Sequence, residues 1–599
     1  EQMWEYLQTK PEILELLTLL QPTSPLLPDD LKKQFSDIID QHSNVASINK
    51  KRIEDLQRTL RNHPDNNIRK FAAMLRKIYS YLAYSNAVTL KISGYNCQQT
   101  PELITQALKN FKIPSTKLRF TKGNIEHTQG PIDYLIIGSG PAGSLIAYEF
   151  LCQQPKARVV LIDSGSLVKP RSIITESASE FMESNNTRTT TDGSIALRNA
   201  RAFGGGTIVN LDLAFSPLLP QIKHQISSWI ATGALNRSFI HSGTTENWNI
   251  LKQAYEYVTK HIGTRVVEKD EVNANNKILL RGTPTATTYN LNARKPLSAK
   301  DKNLKISAFE AFIQPALRKG LNIIPDLKVK KLLFDDTHYS HATGVIVELQ
   351  YALNQPYTIT DPNGFNLPVG TTATINAKNI IICAGTLGSA ELLLRSHVPN
   401  DNIGKGIVIH PSIGMYGRFD HEVDVLNGLS ASVYASAPDI KDGYFFESMS
   451  ADPAFMALIN FGSDKQILDI IRDVKYLGGF GIMLIDTPHP DNKVFIDPFT
   501  DTVQVDYTLH ENDKARLRKG LIRGLEMLFE QGAYEVHMPT SEQILGTRQG
   551  YIPFTAKEQV APAIAQLQFK ENQTFISSAH MQGSNKMGNN PKTSVVSPH

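Results

Sequence analysis

The sequence predicts an α/β protein with a discontinuous, Rossmann-like dinucleotide-binding domain, an α+β domain in which helices cover a sheet, and an all-α region at the amino terminus. Three observations lead to this fold class. An apolar strand, a Gly-x-Gly-x-x-Gly turn and a helix occupy residues 134–151. A second strand, glycine turn and helix occupy residues 379–395, and residues 420–575 alternate short strands with one long helix.

The first glycine turn contains Gly138, Gly140 and Gly143 and is followed by a second apolar strand that ends at Asp163. In such a unit the first glycine allows a tight turn, the second lets the backbone approach a pyrophosphate, and the third lets the helix pack on the strand. The helix N-terminus supplies free N–H groups for phosphates. Asp163, 20 residues after Gly143, is placed to accept hydrogen bonds from a ribose. A glycine-rich turn alone is weak evidence, but both strands and the acid favour a dinucleotide site.

Residues 1–120 predict helices because their apolar residues recur at helical spacing, as in one face formed by Ile68, Phe71, Leu75, Ile78 and Leu82. The spacing is compatible with a helical bundle packed on the main body and with an interaction module for a partner or a membrane. Residues 121–131 read as a polar connector between this region and the βαβ unit.

A second glycine-rich segment follows a long polar stretch, Ser172–Ser194, that predicts a loop. Gly204, Gly205 and Gly206 stand in a row and let the backbone lie against a flat or anionic group. Thr207 and Asn210 then offer side-chain hydrogen bonds beside that group. Taken alone, the segment reads equally well as a flexible loop. Residues 216–300 show no motif.

The second half of the chain continues the α/β pattern. Ser307–Lys319 predicts a helix, residues 322–347 are rich in strand patterns, and Asn379–Ile382 predicts a buried strand. The glycine turn after that strand leads into a helix that ends near Arg395. A helix N-terminus therefore lies at the carboxyl end of a parallel sheet, where such folds bind ligands. Asp513–Gln531 predicts a long helix with an apolar face.

Composition narrows the functional classes. The 599 residues carry a net charge of +4, which is too small to indicate a nucleic-acid partner. Cys97, Cys152 and Cys383 are far apart and form neither a disulfide framework nor a metal-binding pattern. No apolar run is long enough for a transmembrane helix. The sequence starts at Glu1 rather than at Met, and this start is compatible with the removal of a leader peptide. The compartment is left undetermined, and membrane association is not excluded.

Four segments together resemble the glucose–methanol–choline (GMC) oxidoreductases. They are the βαβ unit with Asp163–Gly165, the loop Gly204–Asn210, the turn Ile382–Glu391, and Ala579–Gly588 with His580 at its start. The resemblance covers residues 131–599. Residues 1–120 lie outside it. This arrangement resembles long-chain alcohol oxidases, which also carry a helical N-terminal extension, and the extension is also similar to the small helical subunit of membrane gluconate-type dehydrogenases, here fused to the chain.

The resemblance implies the domain boundaries. They are an N-terminal helical region (1–120), an FAD-binding domain in three parts (131–215, 301–420 and an apparently incomplete 575–599), and a substrate-binding domain in two parts (216–300 and 421–574).

The resemblance also implies the residues that bind FAD. The ADP half would lie on Gly138, Ser139, Gly140, Pro141, Ala142, Gly143, Asp163 and Ser164. The pyrophosphate and flavin would lie along Gly205, Gly206, Thr207 and Asn210, the adenine against the backbone of Val329, and the second glycine turn would contribute Ala384 and Gly385. Some members of the family attach FAD covalently to a histidine just before this asparagine. Since Val209 takes that place here, we expect non-covalent FAD.

The reaction of the family removes a hydride and a proton from an alcohol and produces a carbonyl. FAD accepts the hydride, and a neutral histidine is a suitable base for the proton near neutral pH. His580 is the candidate, although a lone histidine in a Gly/Ser loop is otherwise more often structural. His410, in a His-Pro dipeptide that also matches the family, is interpreted as structural because its loop usually frames the cofactor. No metal is expected.

The family brings a second polar residue to the flavin from a strand further along the chain, whereas only 19 residues follow His580. We expect the sequence to be part of a longer protein, because a stop here would expose the edge of a parallel sheet. A truncated, impaired protein is the other account.

Three functions remain open at this point. The first is an oxidoreductase for an apolar or long-chain alcohol, with oxygen or a redox partner as electron acceptor. The second is a sugar or polyol dehydrogenase that passes electrons to a cytochrome or quinone and uses residues 1–120 as a docking module. The third is a non-catalytic flavin-binding component of an assembly.

Overall fold

The computed structural model describes residues 117–598 apart from 168–187, 242–246, 293–304, 337, 351–367, most of 424–430, most of 450–463, and 545–552. The predicted helical region 1–120 lies outside these residues except at 117–120, where the first strand begins. Most of the predicted loop Ser172–Ser194 also lies outside them. None of the helices in the described ranges is both long and apolar enough to cross a membrane.

The elements follow one another in an order typical of a discontinuous α/β protein. The strands as far as residue 292 are β1 (Leu118–Thr121), β2 (Asn124–His127), β3 (Ile132–Ile137), β4 (Val159–Ile162), β5 (Ile195–Leu197), β6 (Leu213–Ala214), β7 (Arg265–Val266), β8 (Ala286–Thr288) and β9 (Asn290–Leu291). The later strands are β10 (Asn322–Ile324), β11 (Leu327–Phe334), β12 (Ala342–Leu349), β13 (Thr372–Ile382), β14 (Ser412–Arg418), β15 (Val433–Ser436), β16 (Tyr444–Ser448), β17 (Leu477–Leu484), β18 (Lys493–Ile496), β19 (Val503–Asp506), β20 (Glu535–His537) and β21 (Ile576–Ser578). The α-helices are α1 (Pro141–Gln153), α2 (Pro220–Ala231), α3 (Asn249–Ile262), α4 (Ala274–Gly282), α5 (Gln314–Arg318), α6 (Gly385–Arg395), α7 (Asp464–Arg472), α8 (Glu511–Glu530) and α9 (Val560–Ile564).

The first sheet has the order β1-β2-β13-β3-β4-β10, and β11 and β12 extend it beside β13. Strands β13, β3, β4 and β10 run parallel. All four residues of β4 are buried: Val159 and Leu161 face one core, and Val160 and Ile162 face the other. This burial on both faces explains the continuous apolar run in the sequence, which is typical of a strand with a covering layer on each side.

The predicted polar connector at 121–131 is wrong, because β1 and β2 form an antiparallel hairpin there and β2 joins β13 in parallel. Lys122 and Gly123 make the two-residue turn with positive φ values of 49° and 79°, the geometry that suits a tight hairpin. Ile125 and His127 are buried on alternating positions. The segment looks polar because the intervening residues face solvent.

The second sheet has the order β5-β21-β14-β17-β16-β15-β8, with β20 beside β14. Helix α8 covers one face and buries Leu517, Leu521 and Leu525 completely. Gly520 and Gly524 lie on the same side of α8, where a Cβ atom would come within 3 Å of side chains from the sheet. These glycines therefore allow the close approach of helix and sheet.

This arrangement confirms the predicted Rossmann-like α/β domain and the α+β domain in which helices cover a sheet, while the predicted all-α region lies outside the described residues. The predicted helix at Ser307–Lys319 is present as a π-helical turn at Phe309–Ile313 followed by α5. The second strand–turn–helix unit is β13 followed by α6, and the long helix Asp513–Gln531 is α8 within two residues at either end.

Candidate functional site

The two glycine turns pack directly against each other at the carboxyl edge of the first sheet. The N–H group of Cys383 donates to the carbonyl of Ile137 at 2.7 Å, which places the end of β13 beside the end of β3. Gly138 has a φ of 100°, and a Cβ atom there would lie 2.2 Å from the carbonyl oxygen of Cys383. A Cβ atom at Gly143 would lie 1.9 Å from the carbonyl oxygen of Gly138. Only glycine fits at either position.

The first turn and the second glycine-rich segment form a shallow backbone cradle. Helix α1 begins at Pro141, and the N–H groups of its first turn, including that of Ala142, have no acceptor within the helix. A Cβ atom on Gly205 would lie 2.6 Å from the Cα atom of Gly140, whereas one on Gly206 would meet nothing within 4 Å. Free N–H groups, the positive end of a helix and the open space at Gly206 fit the pyrophosphate of a dinucleotide.

Asp163 follows β4 and is engaged by the first glycine turn. Its Oδ2 accepts hydrogen bonds from the N–H and the hydroxyl of Ser139, both at 2.7 Å, and its Oδ1 accepts one from the N–H of Gly165 at 2.7 Å. Burial raises the pKa of Asp163, and the three hydrogen bonds oppose that rise. One acceptor position is left on Oδ1, so a ribose hydroxyl would share this carboxylate with the backbone.

Two further residues that we predict to lie beside the adenosine part of FAD, Ser164 and Val329, are close to Asp163. Ser164 is the next residue in the sequence, and Val329 lies on β11, whose first residue is hydrogen-bonded to Asp163. The N–H group of Leu327, which begins β11, donates to the carbonyl of Asp163 at 2.8 Å. Val329 stands two residues further along β11 and is partly buried. The carbonyl of Ser164 accepts a hydrogen bond from Nε of Arg201 at 3.3 Å. The adenine contact of Val329 stays a prediction.

The polar residues of the glycine-rich segment have partners within the protein. The hydroxyl of Thr207 donates to the carbonyl of Gly204 at 2.7 Å and accepts from the N–H of Ala308 at 3.0 Å. The hydrogen of this hydroxyl is therefore donated within the protein, and the contact of Thr207 with the cofactor stays a prediction. Asn210 is exposed, and its amide oxygen accepts from Nζ of Lys305 at 2.8 Å.

The second glycine turn holds the loop that carries the candidate base. Ala384 precedes α6, and Gly385 begins it with a φ of 72°. The hydroxyl of Thr386 donates to the carbonyl of Met581 at 2.6 Å, and the hydroxyl of Ser584 donates to the carbonyl of Thr386 at 2.7 Å. These two hydrogen bonds attach Met581 and Ser584, which follow His580, to the edge of the first sheet.

The loop around His580 is also tied to the second sheet. Val408 and Gln582 exchange two backbone hydrogen bonds of 3.0 and 2.8 Å. The hydroxyl of Ser578 donates to the carbonyl of Ile409 and accepts from the N–H of His580 at 3.1 Å. The loop around His580 is therefore held between helix α6, which follows the first sheet, and the segment that leads into β14 of the second sheet.

His410 lies beside His580, with ring centroids 6.4 Å apart and rings perpendicular. Its φ of 51° is unusual for a residue with a side chain. The buried carboxylate of Asp486 holds this conformation, because it accepts from the N–H groups of Ile409 and His410 at 3.0 and 2.9 Å. Tyr507 donates to the same carboxylate at 2.7 Å. The sequence favours a structural role for His410, whereas the structure places its ring next to the candidate base.

Both imidazoles are neutral at pH 7. His580 keeps an exposed surface, but the protein around it lowers its pKa to about 4, mainly through desolvation and additionally through His410. Desolvation also lowers the pKa of His410, and the nearby Asp486 opposes that shift. A neutral imidazole can accept a proton from a hydroxyl group. Within the described ranges, no group of three or more His, Cys, Asp or Glu side chains could hold a metal ion.

Four residues of this site were missed by the sequence interpretation. Thr386 stands within the second glycine turn, so its position was a signal that could have been used. Asp486 stands two residues after the buried strand β17, which is a weaker signal of the same kind. Lys305 and Asp212 are far apart in sequence and lie in segments without a motif, so their pairing had no local signature.

A parallel sheet with two glycine turns at its carboxyl edge, joined to a second sheet through a histidine loop, is the architecture of a dinucleotide-binding protein. The N-terminal family model of the GMC oxidoreductases matches residues 132–412, and the C-terminal model matches residues 488–599. The chain belongs to the GMC oxidoreductases, which are FAD-dependent enzymes.

Sequence relatives and solved structures agree with this family. The long-chain-alcohol oxidases FAO4A and FAO3 of Arabidopsis thaliana are 22% and 21% identical to the chain, over 78% of its length. The chain spans 62% of the length of each of these relatives. Pyridoxine 4-oxidase from Mesorbium loti has a TM-score of 0.52 at 17% identity, and a formate oxidase of Aspergillus oryzae has 0.51 at 12%. Each comparison covers 78% of this chain and 90% of the other, and shows that the fold is shared.

Proposed function

We propose that the chain oxidises the hydroxyl group of an alcohol to a carbonyl with non-covalently bound FAD, and that His580 is the base. The observation that carries this proposal is the connection of the His580 loop to the second glycine turn through Thr386. Bound FAD supplies a hydride acceptor. The neutral imidazole of His580 takes the hydroxyl proton, so that the substrate loses one hydride and one proton in total.

We propose an apolar or long-chain alcohol as the substrate class. Strand β14 begins at Ser412, which pairs with Ser577, three residues before His580. A largely apolar cavity lies along β14 and β17, lined by Gly414, Met415, Tyr416, Val425, Met449, Met456, Ile459, Val474, Leu477, Gly478, Gly479 and Phe480. The cavity has a volume of about 40 Å³, which holds only a short part of an alkyl chain, and each methylene buried there favours binding by about 0.8 kcal/mol. The similarity to long-chain-alcohol oxidases supports the same class, with oxygen as the electron acceptor.

The non-covalent attachment rests on Val209, which has no nucleophilic atom and packs against the core of the first sheet. We expect acid precipitation of the FAD-loaded protein to leave all of the flavin in the supernatant. Flavin that stays with the precipitated chain would contradict this part of the proposal.

The test of the function is an anaerobic visible spectrum of the FAD-loaded, full-length protein before and after addition of alcohols. We expect 1-dodecanol to bleach the oxidised flavin faster than 1-butanol, and glucose not to bleach it. Bleaching by glucose alone would favour a sugar dehydrogenase. If no alcohol bleaches the flavin while dithionite does, the proposed reaction is wrong.

We predict that Gly414→Val lowers kcat/KM for 1-dodecanol by roughly 10-fold or more, since a branched side chain would occupy space beside the proposed substrate. A Cβ atom at Gly414 would meet nothing within 4 Å, so we expect the melting temperature to be unchanged. Gly479→Val is the matched control on β17, because its Cβ atom would lie 2.1 Å from the carbonyl oxygen of Met415 and should destabilise the fold. Unchanged kinetics in a stable Gly414→Val protein would place the substrate elsewhere.

A further inference from the structure

A buried ion pair lies behind the glycine-rich segment that ends at Asn210. Nζ of Lys305 lies 3.2 Å from Oδ1 of Asp212, and the two side chains are only 3% and 2% exposed. The same Nζ donates to the backbone carbonyl of Asn210 and, at 2.8 Å, to its amide oxygen. One ammonium group therefore joins a buried carboxylate to an exposed asparagine.

The pair is costly to bury. Desolvation raises the pKa of Asp212 to about 7 and lowers the pKa of Lys305, while the attraction between the two charges opposes both shifts. Glu310 adds a further negative charge near both groups. Oδ2 of Asp212 is buried without a hydrogen-bond partner among the described residues. Because apolar side chains can replace a buried ion pair without loss of stability, the packing of this region does not by itself require one.

The ammonium group determines how the amide of Asn210 is oriented. A lysine side chain has three donors and no acceptor, so only the amide oxygen can face it. The amide Nδ2 must then point away from Lys305, and it makes no hydrogen bond to the described residues. Asn210 is exposed at the end of the segment whose glycines form the cradle.

We propose that Lys305, held by Asp212, is a positioning residue that keeps the amide N–H groups of Asn210 directed at a hydrogen-bond acceptor of bound FAD. This inference rests on the proposed use of FAD and adds two residues to its binding site. Lys305 acts through Asn210 and does not itself contact the cofactor.

The test is a double-mutant cycle on FAD affinity in the full-length chain. The variants are Asn210→Ala, the pair-free variant Lys305→Met/Asp212→Leu, and their combination. We expect Asn210→Ala to raise the Kd for FAD about fivefold, as for the loss of one neutral hydrogen bond. The pair-free variant should raise it to a similar extent, and the combination should add nothing further. The flavin absorption maxima should shift equally in all three variants.

Arg418→Met is the control for the loss of an internal ion pair away from the cradle, since Arg418 bonds to Asp473 and Glu535. It should lower stability and leave the flavin spectrum unchanged. If the pair-free variant does not fold, Lys305→Gln replaces it. A glutamine amide can accept as well as donate a hydrogen bond, so the side-chain amide of Asn210 can rotate by half a turn and exchange its oxygen and nitrogen. The assignment would be overturned if the effects of the Lys305 and Asn210 variants on the Kd for FAD multiplied in the combined variant. A Lys305 variant with the wild-type FAD affinity and flavin spectrum would also overturn it. A wild-type chain that binds no FAD would overturn the proposed function as well.

Discussion

Replacement of His580 by glutamine should slow the reduction of the flavin by alcohol by about 10²- to 10⁴-fold, the usual contribution of a positioned general base. Glutamine keeps a polar side chain of similar reach but cannot take a proton at neutral pH. The backbone of His580 is held through Ser578, and the rest of its loop through Thr386, so the loop should keep its place. We therefore expect unchanged FAD binding and an unchanged melting temperature. Stopped-flow absorbance under anaerobic conditions measures the rate.

The pH dependence gives a second check on the same residue. A base must be neutral to act, and the pKa of His580 is lowered to about 4. The rate in the wild-type protein should therefore be constant from pH 6 to 8 and should fall only as the pH approaches that pKa and the imidazole becomes protonated. His410→Gln is the matched control, because it removes the neighbouring imidazole and leaves the base in place. A His580→Gln protein that reduces flavin at the wild-type rate would exclude the histidine as the base.

The parts of this structure that were predictable from sequence are those in which local chemistry restricts the residue type. Gly138 and Gly143 stand where any side chain would collide with backbone atoms, and the buried strands on either side leave continuous apolar runs. The long helix α8 was predictable because its apolar face repeats with the helical period. The apolar runs, the helical period and the glycine spacing are each visible within a few residues of sequence, although the backbone that makes glycine necessary at residue 138 belongs to Cys383.

The remaining features depend on contacts between distant segments. Lys305 meets Asp212 and Asn210 across about 95 positions of sequence. Asn210 ends a glycine-rich motif, but no motif around Lys305 indicates its partners. The hairpin of β1 and β2 looks polar because one face is exposed, and its pairing with β13 joins residues about 250 positions apart. His410 reaches His580 because Asp486, on a third segment, holds a left-handed backbone conformation. Such placements follow from the tertiary fold and have no period or spacing of their own.

Gly138→Ala should abolish FAD binding and lower the stability of the protein by several kcal/mol. A φ of 100° costs an L-residue about 1–3 kcal/mol. In addition, the new methyl group would lie 2.2 Å from the carbonyl oxygen of Cys383, which is backbone and cannot turn aside. The two glycine turns would have to separate, and the cradle for the pyrophosphate would open. Urea unfolding and retention of FAD on gel filtration measure the two effects.

Gly320→Ala separates the two causes of the lower stability of Gly138→Ala, which are the unfavourable backbone conformation and the collision with Cys383. Gly320 has nearly the same φ, 102°, and a Cβ atom there would meet nothing within 4 Å. It should therefore carry the conformational cost of about 1–3 kcal/mol without any collision, and FAD should stay bound. If the two variants lose the same stability, backbone conformation alone requires glycine at residue 138. A larger loss in Gly138→Ala, together with release of FAD, would show that the contact between the two turns creates the cofactor site.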